Sequence, residues 1–122
     1  MPLADFEAAW ERRRREPAPL APRPLTVAID FDHTWTADPH GWRDWYDFML
    51  ARGHVVILAT GRSGWSEDMG RAHLPAHMPI VYCGRELKEH ATRKAGWNVD
   101  IWIDDMPGMI QHCHVLDDQE VL

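Results

Sequence analysis

Four short runs of apolar residues constrain this chain more than any other feature. They cover residues 25–31 (LTVAIDF), 54–59 (HVVILA), 80–83 (IVYC) and 99–103 (VDIWI). Each is too short for a stable helix and lacks the apolar–polar alternation of a strand with one wet face. Such runs suit strands buried on both faces, as in a parallel sheet. Between them lie stretches with helical spacing at residues 42–52, 66–73 and 86–95, and Gly53 and Gly96 stand where helix C-terminal stops belong. Strand and helix alternate, so the expected class is α/β with a mainly parallel sheet covered on both faces. Residues 115–116 (Val115, Leu116) could add an edge strand.

The remaining chain frames this unit. Residues 1–16 read as a helix, with Leu3, Phe6 and Trp10 on one face and a basic run from Arg12 to Arg15 at its end. The proline-rich stretch 17–24 cannot continue that helix and reads as an extended connector. The expected organisation is therefore a helix and linker over 1–24, followed by one catalytic domain over 25–122. A length of 122 residues leaves no room for a second substrate-binding domain. The formal charge of −6 argues against broad electrostatic wrapping of a nucleic acid. No apolar run is long enough to span a membrane, and no secretory signal is visible. Cys83 and Cys113 are too few for a disulfide scaffold, so a cytoplasmic location with reduced thiols is expected.

In open α/β sheets, ligands bind beyond the carboxyl ends of the strands. There the first run ends in Asp30 and Asp32, whose alternate spacing puts both on one side of an extended chain. The second ends in Thr60-Gly61-Arg62. The third runs into Cys83-Gly84-Arg85, with Lys88 opening the next helix, and the fourth ends in Asp104-Asp105. Carboxylates, a hydroxyl and a lysine so placed suit phosphoryl transfer to an aspartate. A hard divalent cation with oxygen ligands, Mg²⁺, would offset their charge.

The stretch Asp30-Phe31-Asp32-His33-Thr34 resembles the DxDxT signature of the haloacid dehalogenase (HAD) superfamily of phosphatases. Thr60, Lys88 and Asp104-Asp105 are similar to its later motifs in order and context, and the resemblance covers about residues 25–107. It implies a Rossmann-like three-layer sandwich and a Mg²⁺-dependent phosphomonoester hydrolase. It also implies roles: Asp30 the nucleophile, Asp32 the acid and base, and Thr60 and Lys88 the holders of the phosphoryl oxygens. The metal would be held by Asp30, Asp104 and the backbone carbonyl of Asp32, with Asp105 assisting. Arg93 and Lys94 are rivals to Lys88, which is preferred because it follows a strand directly. His33 stands where relatives often carry glycine. The stretch between Asp32 and Trp42 is too short for an inserted cap domain. The expected site is therefore open, admitting a large substrate or borrowing its lid from a neighbouring subunit of a homo-oligomer.

Substrate contacts are expected from Arg62 and Gly61, and from Trp35 or Trp65 stacking on a nucleobase. Trp42, Trp45, Trp97 and Trp102 read as core. The expected substrate is a nucleotide or the terminal phosphate of a nucleic acid, with a sugar phosphate as competitor. His112, His114, Asp117 and Asp118 receive no chemistry. Two alternatives remain: a non-catalytic phosphate- or metal-binding protein on the same scaffold, and a receiver-like phosphoacceptor domain. Motif order argues against the receiver, whose acidic pair lies on the first strand and whose phosphoacceptor lies on the third.

Overall fold

The computed structural model describes residues 3–15 and 21–111. The chain divides into two compact units, and the one that carries the sheet is Pro24–Gln111. The other unit contains helix α1 (Leu3–Arg15), an exposed helix in which Glu11 pairs with Arg14 at 3.0 Å. The suggested edge strand at Val115 and Leu116 lies outside the described residues, as do His112, Cys113, His114, Asp117 and Asp118.

Four strands form the sheet: β1 (Thr26–Ile29), β2 (Val55–Thr60), β3 (Ile80–Tyr82) and β4 (Ile101–Ile103). All pairings are parallel and the order is β3-β2-β1-β4. The two central strands are the most buried, with three of the four β1 residues and five of the six β2 residues inside. Alternation along each strand divides the interior into two layers. Val27, Ile29, Val56 and Leu58 face one core with Phe31, Trp35, Tyr46 and Met69. Ala28, Ile57 and Ala59 face the other, with Cys83 and Ala91. Helix α2 (Pro39–Ala51) covers the first face through Tyr46, and helix α4 (Lys88–Lys94) the second through Ala91. The expectation of a parallel sheet buried on both faces is met at the central strands β1 and β2, whereas the edge strands β3 and β4 are half-buried or exposed. Helix α3 is a single turn (Glu67–Gly70), shorter than the 66–73 expected.

Local chemistry sets the element ends. Pro39 occupies the first turn of α2, and the Asp38 carboxylate accepts from Gly41 N at 3.1 Å. A Cβ at residue 41 would lie 2.2 Å from that carboxylate, so glycine lets the Asp38 side chain sit in this position without shifting. Gly53 (φ 86°) and Gly96 (φ 98°) reverse the chain after α2 and α4, where a side chain would be strained. At the sheet's amino edge, Asp100 accepts from Thr26 N at 2.9 Å and His54 Nδ1 from Leu25 N at 3.0 Å. Asp100 therefore ties down the approach to β4, which starts at Ile101 and not at Val99.

The strand order places a topological switch point between β1 and β4. The chain steps outward from β1 through β2 to β3, then returns to the other side of β1 as β4. This is the half-sheet order of dinucleotide-binding folds and not the 2-1-3-4-5 order of receiver domains. The crevice beyond β1 and β4 is where such sheets place a ligand.

Candidate active site

The backbone beyond β1 turns sharply. Trp35 N donates to Asp30 O at 3.2 Å and Thr36 N to Phe31 O at 3.1 Å, leading into a short 3-10 turn at Trp35–Ala37. His33 takes a left-handed conformation (φ 65°) and its N–H donates to Thr36 Oγ1 at 2.9 Å. A glycine would adopt that conformation without strain. Across the switch point, Asp30 N donates to Ile103 O at 2.9 Å, which sets the end of β1 beside the end of β4.

Lys88 sits at the centre of the site. Its Nζ lies 2.6 Å from Asp30 Oδ1 and 2.6 Å from Asp104 Oδ2, and all three side chains are buried. The first turn of α4 projects the lysine under the strand ends. Lys94, at the far end of the same helix, pairs with exposed Glu86 at 2.7 Å, and Arg93 pairs with Glu89 at 3.2 Å. Of the three basic candidates, Lys88 alone reaches the carboxylates.

Asp105 completes the cluster. Asp30, Asp104 and Asp105 each offer an oxygen, all within 4.8 Å of one another. The Thr34 hydroxyl lies 3.2 Å from Asp30 Oδ2 and 3.3 Å from Asp105 Oδ1, linking the two. Burial raises the Asp30 carboxyl above its ordinary 3.8. Lys88 opposes that shift, while the neighbouring Asp105 and Asp104 add to it. Asp105 is lowered in turn, chiefly by its hydrogen bond with Asp30. Burial would lower the Lys88 ammonium, but Asp104 and Asp30 together outweigh it and hold it above 10.5.

The chemistry of this donor set fits a hard divalent cation. All three ligand groups are carboxylate oxygens, and three carboxylates against one ammonium leave two formal negative charges when all are ionised. The Asp32 side chain lies outside this triad.

Asp32 is instead gripped by Arg62. Nε donates to Asp32 Oδ2 at 3.0 Å and Nη2 to Asp32 Oδ1 at 2.7 Å. The remaining donors go to Asp68, at 2.8 and 2.7 Å, and to Ser66 Oγ at 2.6 Å. The guanidinium also lies over the Phe31 ring, 4.9 Å from its centroid. All five of its N–H donors are thus engaged. Arg62 was expected to contact the substrate. In this geometry it has no donor to spare and orients Asp32. Asp68 and Ser66 were missed, and only the acidic start of α3 six residues on from Arg62 could have signalled them.

The two residues before Arg62 divide. Gly61 lines the small cavity above the acids, whereas Thr60 is fully buried and its Oγ1 accepts from Arg62 N at 3.2 Å. Arg85 is exposed.

Trp35 must be corrected as a stacking residue. It is fully buried, and its indole N–H donates to Ala72 O at 2.7 Å, so no face reaches a substrate. Trp65 is exposed but lies against Gly70, and it lines neither cavity at the site. Trp42 and Trp45, expected in the core, are only partly buried and line a groove beside the acids.

Two spaces adjoin the cluster. A cavity of about 140 Å³ lies over Asp30, Asp32, Gly61 and Lys88. A groove of about 600 Å³ runs beside it, and both share His33, Asp104 and Asp105. Among the described residues, no helix is long and apolar enough to cross a membrane. Compared with protein-family models, curated proteins and solved structures, the chain matches none of them.

Proposed function

We propose that this protein is a Mg²⁺-dependent phosphomonoester hydrolase that works through an aspartyl-phosphate on Asp30, as a small HAD-like member without a cap domain. One observation carries the reading: a buried lysine bridges Asp30 and Asp104 at 2.6 Å each, at the switch point of a parallel sheet, with Asp105 alongside. A buried cluster with more carboxylates than ammonium groups costs stability unless a further cation joins it. Such a cost is expected where function requires the charge.

The chemistry follows from the residues. An Asp30 oxygen attacks the phosphorus, forming the Asp30–phosphoryl bond as the bond to the leaving oxygen breaks. Asp32 gives its proton to that oxygen. Asp32, now a carboxylate, takes a proton from water, which attacks the phosphorus and frees Asp30 and inorganic phosphate. Lys88 holds phosphoryl oxygens, its burial keeps its charge unscreened, and the fully buried Thr60 hydroxyl, expected to join it, instead fixes the Arg62 backbone beside the cavity. Asp30, Asp104 and Asp105 would hold Mg²⁺, with the Asp32 backbone carbonyl, and the ion would supply charge neutralisation at the phosphoryl group. Asp32 is 45% exposed in its side chain, so a leaving-group oxygen can approach it where Arg62 holds it.

Purified protein should release phosphate from p-nitrophenyl phosphate in Mg²⁺. The activity should vanish with a chelator and in Asp30→Asn. Inactivity across a broad panel of phosphate esters with Mg²⁺ would favour a binding protein on this scaffold instead.

A further inference from the structure

The two adjoining spaces divide a substrate between them. The cavity over Asp30 and Lys88, at about 140 Å³, falls well below the roughly 300–1,000 Å³ of sites that enclose an organic ligand. It suits a phosphoryl group and its counter-ion. The organic part of any ester must therefore lie outside it. The neighbouring groove, at about 600 Å³, falls within that range and opens from the same three residues, His33, Asp104 and Asp105.

The walls of the groove say what it accepts. Trp42 and Trp45 meet edge-to-face, with centroids 5.4 Å apart and planes at 85°, and Ala37 and Ile103 extend this apolar surface. Trp42 is fixed by its indole N–H, which donates to Thr34 O at 2.9 Å. Two perpendicular indoles form a corner. A flat ring lying parallel to one meets the other edge-on, and both arrangements are favourable.

The polar groups on the wall are largely committed. Asp38 caps α2, and the Thr34 hydroxyl sits between Asp30 and Asp105. The charged side chains lining the groove are all acidic, and no lysine or arginine lines it among the described residues. Arg62, whose guanidinium holds the cavity-lining Asp32, has every donor engaged. A run of further phosphates would meet carboxylates there and no cation, so this groove opposes a polynucleotide end.

We infer that the groove is the leaving-group subsite for a small aromatic phosphate monoester, with the uncharged ring in the Trp42–Trp45 corner and the phosphate over Asp30. The inference rests on the phosphatase reading and deepens it. Mononucleoside phosphates and simple aryl phosphates share this chemistry.

The test compares phenyl phosphate, a nucleoside 5′-monophosphate, ethyl phosphate and a 5′-phosphorylated oligonucleotide, using wild type, Trp45→Ala and Trp45→Phe. Wild type should favour the aromatic monoesters. Trp45→Ala should lower kcat/KM for them roughly tenfold, mainly through KM, and lower it far less for ethyl phosphate. Trp45→Phe should restore most of the loss, which separates ring contact from misfolding. Equal losses for ethyl and phenyl phosphate, or preference for the oligonucleotide, would overturn the subsite. Binding of phenylphosphonate and methylphosphonate gives an arm independent of turnover. Selective shifts of the Trp42 and Trp45 indole N–H signals by phenylphosphonate support the groove. If those shifts appear while no ester is hydrolysed, the phosphatase reading fails and the groove stands. If phenylphosphonate moves neither signal, the groove reading fails.

Discussion

Replacing Lys88 with methionine tests the site's electrostatics directly, because it keeps the stem's volume and removes only the charge. The wild-type ammonium is about 4% exposed and touches two carboxylates at 2.6 Å. Without it, Asp30 and Asp104, with side chains 8% and 2% exposed, face each other uncompensated. Removing one partner from a buried ion pair costs about 3–5 kcal/mol. Against a total stability of about 5–15 kcal/mol, that loss shifts the urea midpoint substantially.

The dependence on pH has a definite sign. The Lys88 pKa is raised above 10.5, so its contribution is complete below 10.5 and lost only as pH rises through the folded value. Asp30 is also raised, so the neutral acid is favoured in the fold. Its stabilising effect is present below 3.8 and lost as pH rises through its folded value. Lys88→Met removes the influence that lowers Asp30, so the variant should be most impaired near pH 7 and recover toward pH 4. Adding Asp30→Asn should restore more than half of the deficit at pH 7. Urea unfolding followed by far-ultraviolet circular dichroism measures all of this. A deficit under about 1 kcal/mol, or one unchanged by Asp30→Asn, would refute the reasoning.

Further outcomes follow from single residues. Asp68→Asn leaves Arg62 one acceptor oxygen where it had two, so the guanidinium that positions Asp32 is held less firmly and hydrolysis of alkyl phosphates should fall about tenfold, as expected when general acid catalysis is weakened. Nitrophenyl phosphate, whose leaving group needs no proton, should change little, and Asp68→Glu should recover the alkyl rate. Burial raises the Cys83 thiol above 9.0, so with Cys113 changed to serine, iodoacetamide at pH 8 should label the folded protein slowly and the urea-unfolded protein fast. His33→Gly should raise stability by up to about 1 kcal/mol in thermal melts, since it relieves a left-handed non-glycine residue.

The strands were legible as short apolar runs, which burial on both faces accounts for in β1 and β2, while the edge strands β3 and β4 keep such runs though they are only half-buried or exposed. The helix stops at Gly53 and Gly96 were legible because only glycine adopts those angles cheaply. Asp30, Lys88 and Asp104 could be picked out because strand-end position follows from local pattern, and the parallel sheet then brings the ends together. What failed depended on distant partners. Trp35 sits in a loop by sequence, yet its indole is satisfied by Ala72, 37 residues away. Trp42 and Trp45 follow helical spacing in either case, and that spacing does not say that they are only partly buried at the core's edge and line a groove. Arg62 looked available because its partners are an acid in the turn after β1 and one at the start of a single-turn helix. The Thr34 hydroxyl gains its place only when the ends of β1 and β4 meet.

The central claim is that Asp30 becomes phosphorylated. Asp32→Asn should slow release of the intermediate while leaving attack on an activated aryl phosphate possible. Rapid quenching of that variant with Mg²⁺ and nitrophenyl phosphate, followed by peptide mass spectrometry, reads the claim directly. The account predicts a phosphoryl group on Asp30 that hydroxylamine removes and that Asp30→Asn abolishes. Turnover by the wild type with no phosphoryl group trapped on Asp30, or one trapped on another residue, would contradict it.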